Sequence, residues 1–162
     1  MEDDFVLTKN TEAVMMGKPI TAPCLIPVLH SATPACMAEP FMVDGTPYEV
    51  TALSFGTPHG AVLVDNVDSV DVTSLGRPLG THALFPMGAS IVFLQVLGGD
   101  QVKARLWQRD EGGIEFTREA ACVAGTAAMM LQKVIKNQAQ VSMGGICACV
   151  KWDRETGVSL TC

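Results

Sequence analysis

The sequence predicts an α+β domain, a mostly antiparallel sheet curled around one long central helix. Three observations lead there. Short β-branched and aromatic runs alternate with turn dipeptides through most of the chain, a single long segment has helical apolar spacing, and alternating βαβ units are absent. At 162 residues the chain has material for one domain spanning 1–162, with an irregular Pro-rich lead-in over 1–40 and the sheet and helix over 41–162.

The elements follow in chain order. FVLTKNTEAVMM reads as two short β segments around Asn10. Residues 17 to 40 hold five of the nine prolines, and because proline fixes φ and removes a backbone donor, this stretch is expected to be irregular. From Phe41 the pattern FMV, DG, YEVTALSF, GTPHG, AVLV, DN predicts an antiparallel meander in which DG, GTPHG and DN turn the chain. A short helical turn is expected at Val70 to Leu75, where SVDVTSLG offers a Ser cap and a closing Gly. ASIVFLQVL and QVKARLWQR, joined by Gly98, Gly99 and Asp100, form the clearest hairpin.

The long helix is expected over about 117–136. Thr117 caps it, Glu119 lies in its first turn, Lys133 and Lys136 in its last, and Asn137 ends it. Phe116, Ala120, Val123, Ala127, Leu131 and Val134 line one apolar stripe, which must pack on the sheet. AQVSM, GICACVKW and GVSLTC then resume the strand pattern, for about eight strands in all.

Composition removes several function classes. Hydrophobic residues make up 48% of the chain and charged residues 17%, which excludes intrinsic disorder. No apolar run approaches the roughly 18 residues of a spanning helix, and MEDDF has the wrong charge for a signal peptide, so no membrane partner and a cytoplasmic location are expected. A net charge of -6 without a basic block makes nucleic acid an unsuitable partner. Neither GxGxxG nor GxxxxGK[ST] occurs, so a nucleotide fold has no support.

The titratable and metal-ligating residues have bland readings first. Six cysteines show no CxxC pair and are expected to be buried, reduced thiols. Cys147 and Cys149 would share one strand face, read as core packing rather than a metal site. Met15, Met16, Met129 and Met130 read as core filler. His30 and His82 read as surface or packing residues, while His59 after Pro58 fits either a strand turn or a site role. Asp65, Asp68 and Asp71 lack the glycine and terminal Glu of a calcium loop and read as a solvated turn.

The order of several motifs goes further. GTPHGAVLVDNVDSVDVTSLGRPL is followed by HALFPMGASIVFLQV, then by a strand ending in WQR, then by a Cys and Gly-Thr at a helix; VMMGKP lies upstream and KWD downstream. In these features, over about residues 14 to 161, the chain resembles the C-terminal half of diaminopimelate epimerase, of the cofactor-independent amino-acid racemase/epimerase superfamily. The resemblance covers one of that family's two pseudo-symmetric halves. It implies isomerisation at the α-carbon of diaminopimelate or a related amino acid, with no pyridoxal phosphate, metal or other cofactor. One cysteine per half faces the α-carbon, and helix N-termini hold the substrate carboxylate through free backbone N–H groups.

Residue by residue, the resemblance places Cys122 and His59 as catalytic. It places Thr57, Ser90, Gln108, Arg109, Gly125 and Thr126 around the substrate. Thr57 and Ser90 stand where the family has Asn, and Gln108 stands where it has Glu, so a carboxylate for a substrate ammonium is missing. Alignment on the AC pair puts Cys122 at the catalytic position, and alignment on Gly125 and Thr126 puts Ala124 there. With one half present, a homodimer or a complementing N-terminal half is the implied partner, and an amino acid or carboxylate the implied ligand. The alternative is a non-catalytic or fragmentary member acting as a binding or assembly domain. A third reading is an isomerase of a carboxylic acid without an amino group, which would need Arg109 but not the Glu.

Overall fold

The computed structural model describes residues 13–29, 34–108 and 114–162. The first of the two β segments expected around Asn10, His30 and Arg109 lie outside them. The described strands form one nine-stranded sheet in the order β1-β9-β8-β7-β6-β5-β4-β3-β2. They are β1 (Val14–Gly17), β2 (Glu39–Val43), β3 (Thr46–Ser54), β4 (Pro58–Leu63), β5 (Ser90–Gly98), β6 (Gln101–Trp107), β7 (Gln138–Met143), β8 (Ile146–Asp153) and β9 (Gly157–Thr161). Two helices complete the fold, α1 (Val72–Gly80) and α2 (Arg118–Met130). The class is α+β. The sheet is mixed, because β4–β5 and β6–β7 are parallel pairs while all other neighbours are antiparallel.

Each parallel pair requires a crossover, and each crossover carries a helix: α1 between β4 and β5, α2 between β6 and β7. Because β5 and β6 run oppositely, two crossovers of the same hand leave their helices on opposite faces of the sheet. The side chains of β5 record this. Val92 and Leu94 join the core that contains α2, whereas Ile91 and Phe93 join the core that holds Leu79 of α1 with Phe41 and Phe85. Both faces of β5 are therefore buried, and each of these large apolar side chains contributes roughly 1.5–3 kcal/mol.

The sheet also closes on itself. β1 and β2 are its opposite edges, yet Ile20, just after β1, exchanges backbone hydrogen bonds with Ser54 at the end of β3, at 2.7 and 2.9 Å. From Gly17 to Ile20 the chain reaches at most about 11 Å, so the far edges must meet. This curl explains why α2 touches every strand from β3 to β9, and why every residue from Ala120 to Met129 is buried.

Several expectations need correction. β1 falls in the second of the two β segments expected around Asn10, and the Pro-rich lead-in over 1–40 departs from the expected irregularity at its end, where β2 begins at Glu39. Pro58, His59 and Gly60 belong to β4 rather than to a turn, so the turn is confined to Phe55, Gly56 and Thr57. Helix α1 begins two residues later and runs longer than Val70 to Leu75, because its cap is Asp71, not a Ser: Asp71 Oδ1 accepts from the Ser74 N–H at 3.1 Å and Oδ2 from the Ser74 hydroxyl at 2.9 Å. Gly76 and Gly80 face the Trp107 indole, which a Cβ at either position would overlap.

Helix α2 stops at Met130, short of residue 136, and has no single apolar stripe because it is enclosed. Thr117 does cap it, accepting from the Ala120 N–H at 2.9 Å. At the other end Gln132 takes a left-handed conformation at φ 59. The Lys133 N–H then bonds back to the Ala128 carbonyl at 2.9 Å and the Gln132 N–H to the Met129 carbonyl at 3.1 Å, a Schellman stop formed without glycine. Lys133, Lys136 and Asn137 accordingly lie outside the helix.

Candidate active site

The candidate site lies where one end of the central strands meets the start of α2. His59, near the start of β4, pairs across the parallel ladder with Ser90 at the start of β5, and across the antiparallel one with Leu53 of β3. Gln108 follows Trp107, whose partner Ile91 follows Ser90, so it continues β6 to the same level. Thr57 closes the turn before β4, whose Gly56 at φ 138 has a backbone few side chains tolerate. Thus the sheet brings Thr57, His59 and Ser90 together, with Gln108 at the end of the next strand.

The first turn of α2 supplies a residue that sequence reasoning did not place in the site, Glu119. Its Oε2 accepts the Thr57 backbone N–H at 2.9 Å and lies 3.7 Å from His59 Nδ1. That ring nitrogen is 2.8 Å from the Thr57 carbonyl, which can only accept, so Nδ1 carries the proton and donates it. His59 is only 4% exposed. Burial lowers its pKa from the ordinary 6.5, and the Thr57 carbonyl and the Glu119 charge pull upward less strongly. The ring is therefore neutral near pH 7, and its approach to Glu119 is a charge–dipole contact rather than an ion pair.

Cys122 stands elsewhere. It lies more than one turn beyond Thr117, fully buried, past the N–H groups that a helix leaves free at its start. Burial pushes its thiol up to about 12, with Cys162 and Glu119 acting in the same direction. Ala124, the other alignment partner, is equally buried. Gly125 and Thr126 sit deeper in the helix. A Cβ on Gly125 would come within 2.9 Å of Val150 Cβ, so this glycine sets how closely α2 approaches β8. The Thr126 hydroxyl is buried with no hydrogen-bond partner among the described residues. Arg109 lies outside the described residues.

The remaining candidates are quickly placed. Cys24, Cys147 and Cys162 are exposed, and Cys149 is half-buried. This corrects the expectation of uniformly buried thiols and of a core face at Cys147 and Cys149; Ala148 and Val150 are the inward residues of β8. Met15 is likewise exposed rather than core filler, whereas Met129 is buried. His82 is a packing residue, 4.9 Å from the Phe41 ring and 3.2 Å from the Met42 carbonyl. Asp68 meets Lys103 at 2.6 Å. Among the described residues no group of three or more His, Cys, Asp or Glu is placed to hold a metal, and no helix is long and apolar enough to cross a membrane.

Comparison with known proteins supplies the relation. No family profile matches the chain. Diaminopimelate epimerase from Geobacillus sp. (strain WCH70) is 33% identical over 147 residues, covering 90% of this chain and 52% of that protein. Diaminopimelate epimerase from Desulforapulum autotrophicum is 32% identical over 155 residues, covering 92% and 53%. The chain resembles diaminopimelate epimerase over half of that protein. A third diaminopimelate epimerase, from Pseudomonas paraeruginosa, is 36% identical over 139 residues and is spanned to 49%. The chain therefore spans about half the length of the curated diaminopimelate epimerases it matches, and nearly all of its own length takes part.

Proposed function

We propose that this chain is one lobe, the C-terminal type, of a cofactor-independent amino-acid epimerase or racemase, acting at the α-carbon of diaminopimelate or a related amino acid once a second lobe faces it. The observation that carries the reading is similarity to diaminopimelate epimerases along about nine-tenths of the chain but only half of each relative. Inversion at carbon needs a proton removed from one face and another delivered to the opposite face. One lobe offers groups for one face. The second lobe is either another copy of this chain or a separate N-terminal half.

A non-catalytic role as a binding or assembly domain is the second reading, and two observations favour it: the deep burial of Cys122, and an uncharged Gln108 at the end of β6. Deuterium wash-in at the α-carbon of diaminopimelate and other amino acids separates the two. The chain is assayed alone, with sedimentation to establish its oligomeric state, and again with the N-terminal half of the Geobacillus relative. Exchange in either arm is the expected result; its absence in both leaves the non-catalytic reading.

A further inference from the structure

We propose that Glu119, rather than any cysteine of this lobe, is the group that carries the α-proton, at the point where Thr57, His59 and the first turn of α2 converge. The proposal rests on the epimerase-lobe reading above. Two acid–base side chains, Glu119 and Cys122, lie in the first half of α2, and the fold treats them oppositely. Cys122 is fully buried among the strands that enclose the helix. The Glu119 side chain keeps 23% exposure, lies within the first turn, and is held by the Thr57 N–H at 2.9 Å. Only one of its oxygens is engaged by that bond; Oε1 has no hydrogen-bond partner among the described residues.

The position suits a group that enters the reaction as an anion. A helix start favours negative charge, and the Thr57 N–H fixes the carboxylate in place. His59 orders the turn from the other side by donating its Nδ1–H to the Thr57 carbonyl. In the step itself the α C–H bond breaks and its electron pair stays on carbon as an enolate-like carbanion. The proton forms an O–H bond on Glu119. Return of a proton from Glu119 restores the original configuration, with solvent deuterium if exchange intervenes; delivery by an acid of the companion lobe inverts it. No oxidant or further reactant is needed. A carboxylate, with an ordinary pKa of about 4.3, is a weaker base than a thiolate at about 8.5, so a thiol at this position should be the faster base.

The test is α-proton exchange in deuterium oxide, with diaminopimelate and the companion lobe that supports it, for the unmodified chain, Glu119→Gln, Glu119→Cys and Cys122→Ala. Gln keeps an oxygen for the Thr57 N–H, and a thermal melt of each variant verifies that the fold is retained. Glu119→Gln should lose at least about 100-fold in exchange rate, the lower range for a general base. Cys122→Ala should leave the rate unchanged, and treating this chain with iodoacetamide before the companion lobe is added should leave exchange unchanged. Glu119→Cys should restore exchange and make it iodoacetamide-sensitive, which a merely structural role for Glu119 would not do. Exchange that survives in folded Glu119→Gln with a companion lobe whose cysteines are replaced by Ser overturns the proposal and leaves the epimerase reading standing. Absence of exchange in the unmodified chain with either companion overturns the epimerase reading, and this proposal with it.

Discussion

His59 shows how a single side chain is set by its place in a strand. Because β4 begins at Pro58, the imidazole points into the sheet's interior instead of lying on a turn, and burial keeps it neutral. Its folded pKa lies below the unfolded value near 6.5, so below that pH the unfolded chain binds a proton that the native one refuses. Stability is complete above the unfolded pKa and falls as pH drops below it, with a slope of up to about 1.4 kcal/mol per pH unit from this residue. Urea denaturation between pH 7.5 and 5 should show that slope, and His59→Gln should flatten it; equal slopes would mean the ring titrates normally. At this scale the sequence was partly legible. The His59 and Thr57 motif is visible in it, whereas Glu119 stands there only as a residue suited to the helix dipole. The signal was present in the Thr117 cap, which makes Arg118, Glu119 and Ala120 the residues at the helix start and leaves Glu119 as the carboxylate among them.

Elements end where their last hydrogen bonds can be satisfied, and that decides which boundaries a sequence reveals. Strands flanked by Asp44–Gly45, Gly98–Gly99 and Gly144–Gly145 were readable because those residues accept positive φ, as they do here. The end of α2 was not readable, because Gln132 takes the left-handed position that glycine usually announces. Similarly, α1 starts later than a Ser cap implies because Asp71 is the residue whose side chain accepts from the Ser74 N–H. Gly125 has a meaning that motif matching obscured. It lets α2 settle against Val150, and Gly125→Ala should cost about 1–3 kcal/mol through overpacking despite alanine's better helix propensity, as thermal or denaturant unfolding would measure. A neutral or stabilising effect would show that the two elements can separate without penalty.

At the level of the whole molecule, the α+β class is legible in the sequence, and burial of α2 on all sides is the step that a single apolar stripe does not supply. A helix with one wet face shows a stripe; a helix touched by β3 to β9 shows small residues all round, and REAACVAGTAA is rich in alanine for that reason. Such a helix cannot open without dismantling the sheet. Amide hydrogen exchange should therefore find Ala121 to Met129 and the first half of β5 protected up to the global unfolding free energy, while the exposed 3-10 turn at Pro23–Leu25 exchanges far sooner. Early exchange within α2 would show that the strands part locally.

The pair of hydrogen bonds between Ile20 and Ser54 acts as a clasp on a rolled mat. Its two leaves are held by a strap only a few residues long, so the diameter of the roll is fixed by chain length as well as by packing. Slack inserted between Gly17 and Ile20 would loosen the roll without removing any core side chain, and water would reach the enclosed helix along that line first.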